Sequence, residues 1–302
     1  MKNVFITGIS GFIGKELAHQ MTLAGHRVTG SSFTAPDINQ IKCDIRQPRD
    51  ILGAITKSQP DIIIHAAALS SVTIGRTMDY YESNVFGTEN VIAAVNQLGG
   101  RRRIVFISTA GVYGNQSAQI LTEDLTPLPV SHYGMSKLVC ERMFANVAAE
   151  HDITIVRPFN IIGIGQNNSF IVPKLVQHFA ERDAIVRLGN VEPVRDYLDL
   201  KTCCNILMEL ALAPAAFGET VNLCAGTGTS VKELLNILTD LTQHSIETVI
   251  DPKFTRKSEV WCLLGSTVKL QQILSKSVTS RPFKEVLAEM LIDYSLKKEV
   301  SL

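Results

Sequence analysis

Three glycines spaced three apart, Gly8, Gly11 and Gly14, constrain this chain more than any other feature. Before them runs Asn3-Val4-Phe5-Ile6-Thr7, a β-branched and aromatic stretch that reads as a buried strand. After them, Leu17, Met21 and Ala24 recur at helical spacing. Strand, glycine turn and helix in that order give a glycine motif its meaning. Gly8 permits a tight turn, Gly11 lets backbone approach a pyrophosphate, and Gly14 lets the helix sit close to the strand. The N–H groups at the helix start then face the phosphates. A glycine trio also serves purely structural turns. The intact strand and helix put dinucleotide binding ahead.

The next segments repeat the alternation. His26 to Gly30 reads as a second strand, a third ends at Cys43-Asp44-Ile45, and Asp61 to Ala68 is a fourth that runs into three alanines. Asn84 opens a helix through Val91, Ile92 and Val95, and Arg103 to Thr109 is a fifth strand that ends in two hydroxyls. Ile153 to Arg157 is a sixth strand closed by Pro158, and Val194 to Leu198 is another. Phe170 to Arg182 and the stretch from Ser230 read as helices, the latter with a capping box formed by Ser230 and Glu233. Such alternation predicts an α/β fold with a doubly wound parallel sheet. Ligands then gather outside the carboxyl ends of the strands.

An acidic residue near the end of the second strand would hold the ribose 2′-hydroxyl of NAD. Here Gly30-Ser31-Ser32-Phe33 carries neither carboxylate nor arginine. A 2′-phosphate is not repelled, and Ser31 and Ser32 can hydrogen-bond it, which favours NADP with NAD as the alternative. Asp44 either accepts from an adenine amine or caps the helix that starts near Pro48. Ala66, Ala67 and Ala68 leave room for a flat cofactor over a strand end.

Tyr133-Gly134-Met135-Ser136-Lys137 carries the strongest chemical signal. Residues four apart share a helix face, so Lys137 can hold its ammonium near the Tyr133 phenol. A free phenol, with a pKa of about 10, is a poor acid or base at neutral pH. A nearby cation favours the phenolate and is expected to bring that value down. Thr109 can bind the same substrate oxygen that exchanges a proton with Tyr133. A tyrosine and lysine at this spacing also occur as a surface pair. Behind Ser108-Thr109 and a nucleotide-binding start, the catalytic reading is the specific one.

Composition narrows the setting. The chain has 302 residues, 45% of them hydrophobic, enough for one large domain plus a smaller lobe. Lys plus Arg and Asp plus Glu both number 29, so no basic field for nucleic acid is expected. Arg101-Arg102-Arg103, the one basic run, reads as a solvated turn. The six cysteines form no CxxC pair and sit mostly in apolar runs, which suits buried thiols in a reducing compartment. No histidine pattern suggests a metal, and Glu209 interrupts the longest apolar stretch. The expectation is a cytoplasmic protein with no membrane or nucleic-acid partner.

The motifs together resemble the extended short-chain dehydrogenase/reductase family, in its nucleotide-sugar branch. They are the glycine trio, His65-Ala66-Ala67-Ala68, Asn84 to Thr88, Ser108-Thr109 with Val112-Tyr113-Gly114, Tyr133 with Lys137, Arg157-Pro158-Phe159-Asn160 and Arg195-Asp196-Tyr197. The C-terminal half is most similar to GDP-4-keto-6-deoxy-mannose reductases, in Phe159 to Gln166, Gly189 to Asp196 and Asn222 to Gly226. The resemblance implies a cofactor site of Gly8, Gly11, Phe12, Ile13, Gly14, Ser31, Ser32, Asp44, Ile45, Ala66, Ala67, Ala68, Asn84 and Pro158, with Tyr133 and Lys137. It implies a substrate site of Ser70, Ser71, Thr109, Asn160, Phe170, Lys174, Arg195, Arg256 and Glu259, in which Arg256 and Glu259 meet the diphosphate and ribose. On spacing alone, Lys174 is equally a surface lysine, and Arg256 with Glu259 a solvated ion pair. A homodimer is also implied. So is a dinucleotide-binding domain over residues 1–158 with a returning segment near 194–225, and a nucleotide-sugar lobe over 159–193 and 226–302.

The resemblance also sorts the chemistries. Dehydratase relatives carry an acid at the position matching Gly111, and fucose-synthase relatives a Cys and a His matching Ala110-Gly111 and Phe170. This chain has neither. Thr109, Tyr133 and Lys137 remain as catalytic residues, which leaves C4 reduction of a 4-keto-6-deoxy nucleotide sugar, GDP-linked by the resemblance. The alternative is a 4-epimerase with tightly bound NAD. A non-catalytic cofactor-sensing protein ranks third, since all three catalytic residues are present.

Overall fold

A computed structural model describes residues 1–34, 37–70, 76–254 and 259–300. In chain order it contains β1 (Asn3–Thr7), α1 (Phe12–Leu23), β2 (Arg27–Ser32), β3 (Gln40–Lys42), α2 (Pro48–Ser58), β4 (Ile62–His65), α3 (Thr77–Tyr80), α4 (Gly87–Leu98), β5 (Arg103–Ile107), α5 (His132–Asn146) and β6 (Asp152–Pro158). There follow β7 (Asn160–Ile162), α6 (Ile171–Ala180), β8 (Ile185–Leu188), β9 (Val194–Asp199), α7 (Leu200–Leu212), β10 (Thr220–Leu223), β11 (Gly228–Ser230), α8 (Val231–Thr242), β12 (Glu247–Ile250), β13 (Cys262–Leu263), α9 (Val268–Leu274) and α10 (Phe283–Val300).

Seven parallel strands form the main sheet in the order β10-β6-β5-β4-β1-β2-β3. The order reverses beside β1, so the loops after β1 and β4 open into one crevice, as a doubly wound sheet requires. Alternation along β1 serves both faces. Val4 and Ile6 join a core with Leu17 and Met21 of α1 and Leu207 and Leu210 of α7. Phe5 faces the other way, toward Ile51 and Ile55 of α2, Val91 and Val95 of α4 and Phe144 of α5.

A second, smaller region has its own core. Val172, Leu175 and Phe179 of α6, Leu234 and Leu238 of α8, and Val286 and Leu287 of α10 pack together with Tyr197 of β9. The Ser230 and Glu233 capping box forms as the sequence suggests, with the Ser230 hydroxyl accepting from the Glu233 N–H at 3.1 Å.

Three local expectations need correction. The strand beginning at Val194 lies outside the main sheet and pairs with β7, β11 and β13, so the chain re-enters the large layer only with α7 and β10. The helix expected to open at Asn84 begins at Thr77 and passes through a π turn at Tyr81–Phe86 before α4. Arg103 is no solvated turn residue but is 7% exposed. Its guanidinium donates to the Leu210 and Ala211 carbonyls at the end of α7 and to Thr154 Oγ1, over the Phe217 ring. A buried guanidinium is tolerated where carbonyls take its protons.

Candidate active site at the strand ends

At the end of β1 the chain turns through Gly8 at φ +70, where a side chain would strain the backbone. A Cβ on Gly14 would stand 2.2 Å from the Gly8 carbonyl, so only glycine lets α1 begin this close to β1. Phe12 and Ile13 are the first residues of α1, which starts with no side-chain cap and no acidic residue in its first turn. Those uncapped N–H groups and the positive helix end fit a pyrophosphate.

The other expected cofactor residues surround this cradle. Ser31 and Ser32 are buried at the end of β2; Ser31 Oγ accepts from the Gly8 N–H at 3.3 Å, and Ser32 Oγ donates to Ser10 Oγ at 2.9 Å. Asp44 neither caps α2, whose N-cap is Gln47, nor stands free: Arg46 donates to both its oxygens, at 2.9 Å and 2.7 Å, and holds the carboxyl below its ordinary range. Ile45 packs toward Gly87 at the start of α4. Ala66, Ala67 and Ala68 follow β4 half-buried, and the Ala67 N–H donates to Thr7 Oγ1 at 3.0 Å. Asn84, inside the π turn, spends its amide within the protein: Oδ1 accepts from the Leu69 N–H at 2.8 Å and Nδ2 donates to Ser136 Oγ at 3.0 Å. Pro158 is buried at the end of β6.

Thr109 leaves β5 in an extended conformation, and its Oγ1 accepts from the Gly111 N–H at 3.0 Å. Tyr133 and Lys137 occupy the first two turns of α5, capped by the Ser131 hydroxyl on the Gly134 N–H. The Thr109 side chain lies near enough to the Tyr133 phenol to favour its ionised form, so the two proposed donors face one place. Lys137 is buried, its ammonium 4.4 Å from the centroid of the Phe106 ring.

The electrostatics differ from the sequence expectation. Burial pushes the Tyr133 phenol up to about 12, against the influence of Thr109. Burial pushes Lys137 down to about 8, with Cys140 and Glu141 pulling the other way. Burial dominates both shifts, and the lowering of the phenol by Lys137 that spacing implied does not occur. Tyr133 is thereby kept protonated at neutral pH, the state a proton donor needs.

Two further residues support the site, Tyr80 and His65, neither of which has a site role on spacing alone. Tyr80 sets its ring 6.2 Å from that of Tyr133. His65 is wholly buried between Thr7 and Thr88, stacked 5.7 Å from Phe106, and burial drives it down to about 3.

The expected substrate residues are less gathered. Asn160 Nδ2 donates to the Asp196 carbonyl at 2.9 Å, Phe170 is half-buried as the N-cap of α6, and Ser70 is exposed after β4. Lys174 donates to the Arg187 carbonyl at 3.0 Å beneath the Phe254 ring. Glu259 pairs with Arg195, Nη2 to Oε1 at 3.0 Å, with each side chain 15% exposed. Ser71 and Arg256 lie outside the described residues. Asp196, adjacent to Arg195, is fully buried and accepts from the N–H groups of Ala225 and Gly226 at 2.7 Å and 2.9 Å. It ties β9 to the turn after β10.

Residues 4–224 match the model of the NAD dependent epimerase/dehydratase family. The chain belongs to that family. It is 34% identical over 289 residues to the GDP-6-deoxy-D-talose 4-dehydrogenase of Aggregatibacter actinomycetemcomitans, covering 95% of this chain and 96% of the relative. It is 29% identical over 283 residues to the GDP-6-deoxy-D-mannose reductase of Pseudomonas aeruginosa, covering 89% and 90%. The structure of RMD from Pseudomonas aeruginosa complexed with NADPH superposes with a TM-score of 0.87 at 25% identity, covering 98% of this chain and all 100% of that one. Epimerase/dehydratase family members and these relatives fit the NADP cofactor expected here, with NAD as the alternative, and they are nucleotide-sugar enzymes.

Proposed function

We propose that this protein interconverts a C4 ketone and a C4 alcohol on a 6-deoxyhexose carried by GDP, acting as a 4-ketoreductase with NADPH. The observation that supports the reading is that Thr109 follows β5 at the same end of the parallel sheet as the Gly8 to Gly14 turn after β1, with Tyr133 and Lys137 at the start of α5. When bound, the nicotinamide supplies the hydride that adds to C4. Tyr133 gives its phenolic proton to the oxygen that becomes the hydroxyl, and Thr109 donates a hydrogen bond to the same oxygen as charge develops there. Lys137 holds a positive charge one turn along α5, where it would meet the ribose of a bound nicotinamide half and offset the phenolate left behind. Gly8, Gly11 and Gly14 admit the pyrophosphate. Asn160, Phe170, Arg195 and Glu259, with Ser70, Lys174 and, outside the described residues, Ser71 and Arg256, hold the nucleotide sugar against the large sheet. The names of two relatives support the class, since 6-deoxytalose and 6-deoxymannose differ only in configuration at C4.

A 4-epimerase is the second reading, favoured by the family description. A homodimer belongs to this proposal too; Met78, Phe86, Met135 and Val139 leave exposed apolar surface on the helices around the site. The deciding assay supplies GDP-4-keto-6-deoxymannose and NADPH to the purified protein and identifies the product by NMR. One NADPH consumed per GDP-sugar alcohol supports the reductase. Interconversion of C4 epimers without net NADPH consumption would overturn it.

A further inference from the structure

Lys137 and Glu141 stand one helical turn apart on α5, the spacing at which a lysine and a carboxylate ordinarily pair. Among the described residues, the only salt bridge of Glu141 is instead with Arg157. Glu141 is 4% exposed and Arg157 5%. Arg157 Nη2 donates to Oε2 at 2.7 Å and its Nε to Oε1 at 3.0 Å, while Ser108 Oγ donates to Oε1 at 2.5 Å. Arg157 is held in turn over the Tyr113 ring, 4.8 Å from its centroid, and the Tyr113 hydroxyl donates to Asn222 Oδ1 at 2.7 Å. Both carboxylate oxygens are thus engaged by Arg157 and Ser108, while the Lys137 ammonium rests on Phe106.

In a dry interior a free carboxylate attracts an ammonium far more strongly than in water. The groups acting on Lys137 are Cys140 and Glu141 on its own helix, Phe106 on β5 and His65 at the end of β4. Burial keeps the Cys140 thiol protonated and His65 neutral, so Glu141 is the anion that matters. We propose that Arg157 is a positioning residue: together with Ser108 it occupies Glu141, prevents that carboxylate from capturing Lys137, and leaves the ammonium free to serve the Tyr133 end of α5. The inference rests on reading Tyr133 and Lys137 as a catalytic pair.

The test reads Lys137 directly, by NMR titration of protein labelled with ¹³C at the lysine ε-carbon, with Lys137→Met to assign the signal. Arg157→Met should raise the proton affinity of Lys137 by about tenfold or more, one pKa unit or above. Ser108→Ala, which frees only one bond, should move it the same way by less. Glu141→Gln with Arg157→Met removes anion and cation together, a replacement that buried pairs often tolerate, and should return Lys137 to its wild-type value or below. A rise that persists in the double variant would mean that Arg157 acts by direct repulsion, and would overturn the proposal. So would an unchanged Lys137 in Arg157→Met or, if that variant does not fold, in Ser108→Ala. Failure of the oxidoreductase reading shows separately, as wild-type protein that neither binds NADPH nor reduces the keto sugar.

Discussion

Nε2 of His65 lies 3.0 Å from the Thr88 hydroxyl, and that contact fixes which nitrogen carries the proton. The Thr88 hydroxyl gives its own hydrogen to the Asn84 carbonyl at 2.6 Å, so it must accept from His65. Nδ1 then accepts from Thr7, 2.7 Å away, whose oxygen in turn accepts from the Ala67 N–H. The imidazole is neutral with hydrogen on Nε2, and every donor in the row has an acceptor. A hydrogen-bonded line therefore joins the end of β1 to the π turn under α5.

That arrangement makes stability depend on acid. The folded value of about 3 lies below the unfolded value of 6.5, so as pH falls below 6.5 the unfolded chain takes up a proton that folded His65 refuses. Between pH 7 and pH 5 this residue alone should cost about 2 kcal/mol. Urea unfolding at both pH values should show that loss in wild type, and His65→Gln should be weaker at pH 7 but lose less on acidification. Equal losses in both proteins would place His65 in contact with water.

Tyr133→Phe should lower turnover by a factor on the order of 10²–10⁴ while NADPH binds nearly as before, because the proton donor goes and the cradle stays. Thr109→Ala should act in the same direction more mildly. Steady-state kinetics with fluorescence titration of NADPH measures both, and a Tyr133→Phe enzyme with normal turnover would remove the phenol from the mechanism.

NADPH should bind at least as well as NADH, since the end of β2 offers Ser32, Ser10 and Thr34 hydroxyls and no carboxylate. Ser32→Asp should shift the ratio toward NADH by on the order of tenfold, about 1.4 kcal/mol. Ser31 is a poorer place for the change, because its Oγ accepts from the Gly8 N–H. Competitive titrations of the two cofactors give the ratio, and a wild-type protein that strongly prefers NADH contradicts this assignment.

Arg195→Ala and Glu259→Ala should each weaken GDP binding by about 1.5–3 kcal/mol, the range for hydrogen bonds to charged groups. Isothermal calorimetry with GDP alone avoids any dependence on turnover. If both variants bind GDP like wild type, the pair serves only to fasten β9 to the segment before β13.

Local geometry explains what was legible in the sequence. The glycine cradle and the Tyr133 to Lys137 spacing are properties of one turn and one helix, and both read directly. Arg103 departs from a solvated turn because its acceptors lie at Leu210 and Ala211, over a hundred residues away. The sheet that β9 joins depends on strand pairing, which burial pattern does not specify when both candidate sheets are covered. The direction in which Tyr133 shifts turns on tertiary desolvation, invisible to spacing. Glu141 and Arg157 each sit in a quoted or neighbouring motif, yet nothing local shows that they face one another.

The detour between β6 and β10 has a consequence for synthesis on the ribosome. Once Pro158 has emerged, six strands of the large layer exist, but β6 still presents an open edge that Thr220 to Leu223 will later fill. The helix that shields Val4, Ile6 and Val105 on that side, α7, also lies downstream. A nascent chain of about 160 residues thus carries bare apolar surface and an unpaired strand, the condition that invites intermolecular pairing. A gene cut at that point should yield aggregating protein rather than a soluble nucleotide-binding fragment.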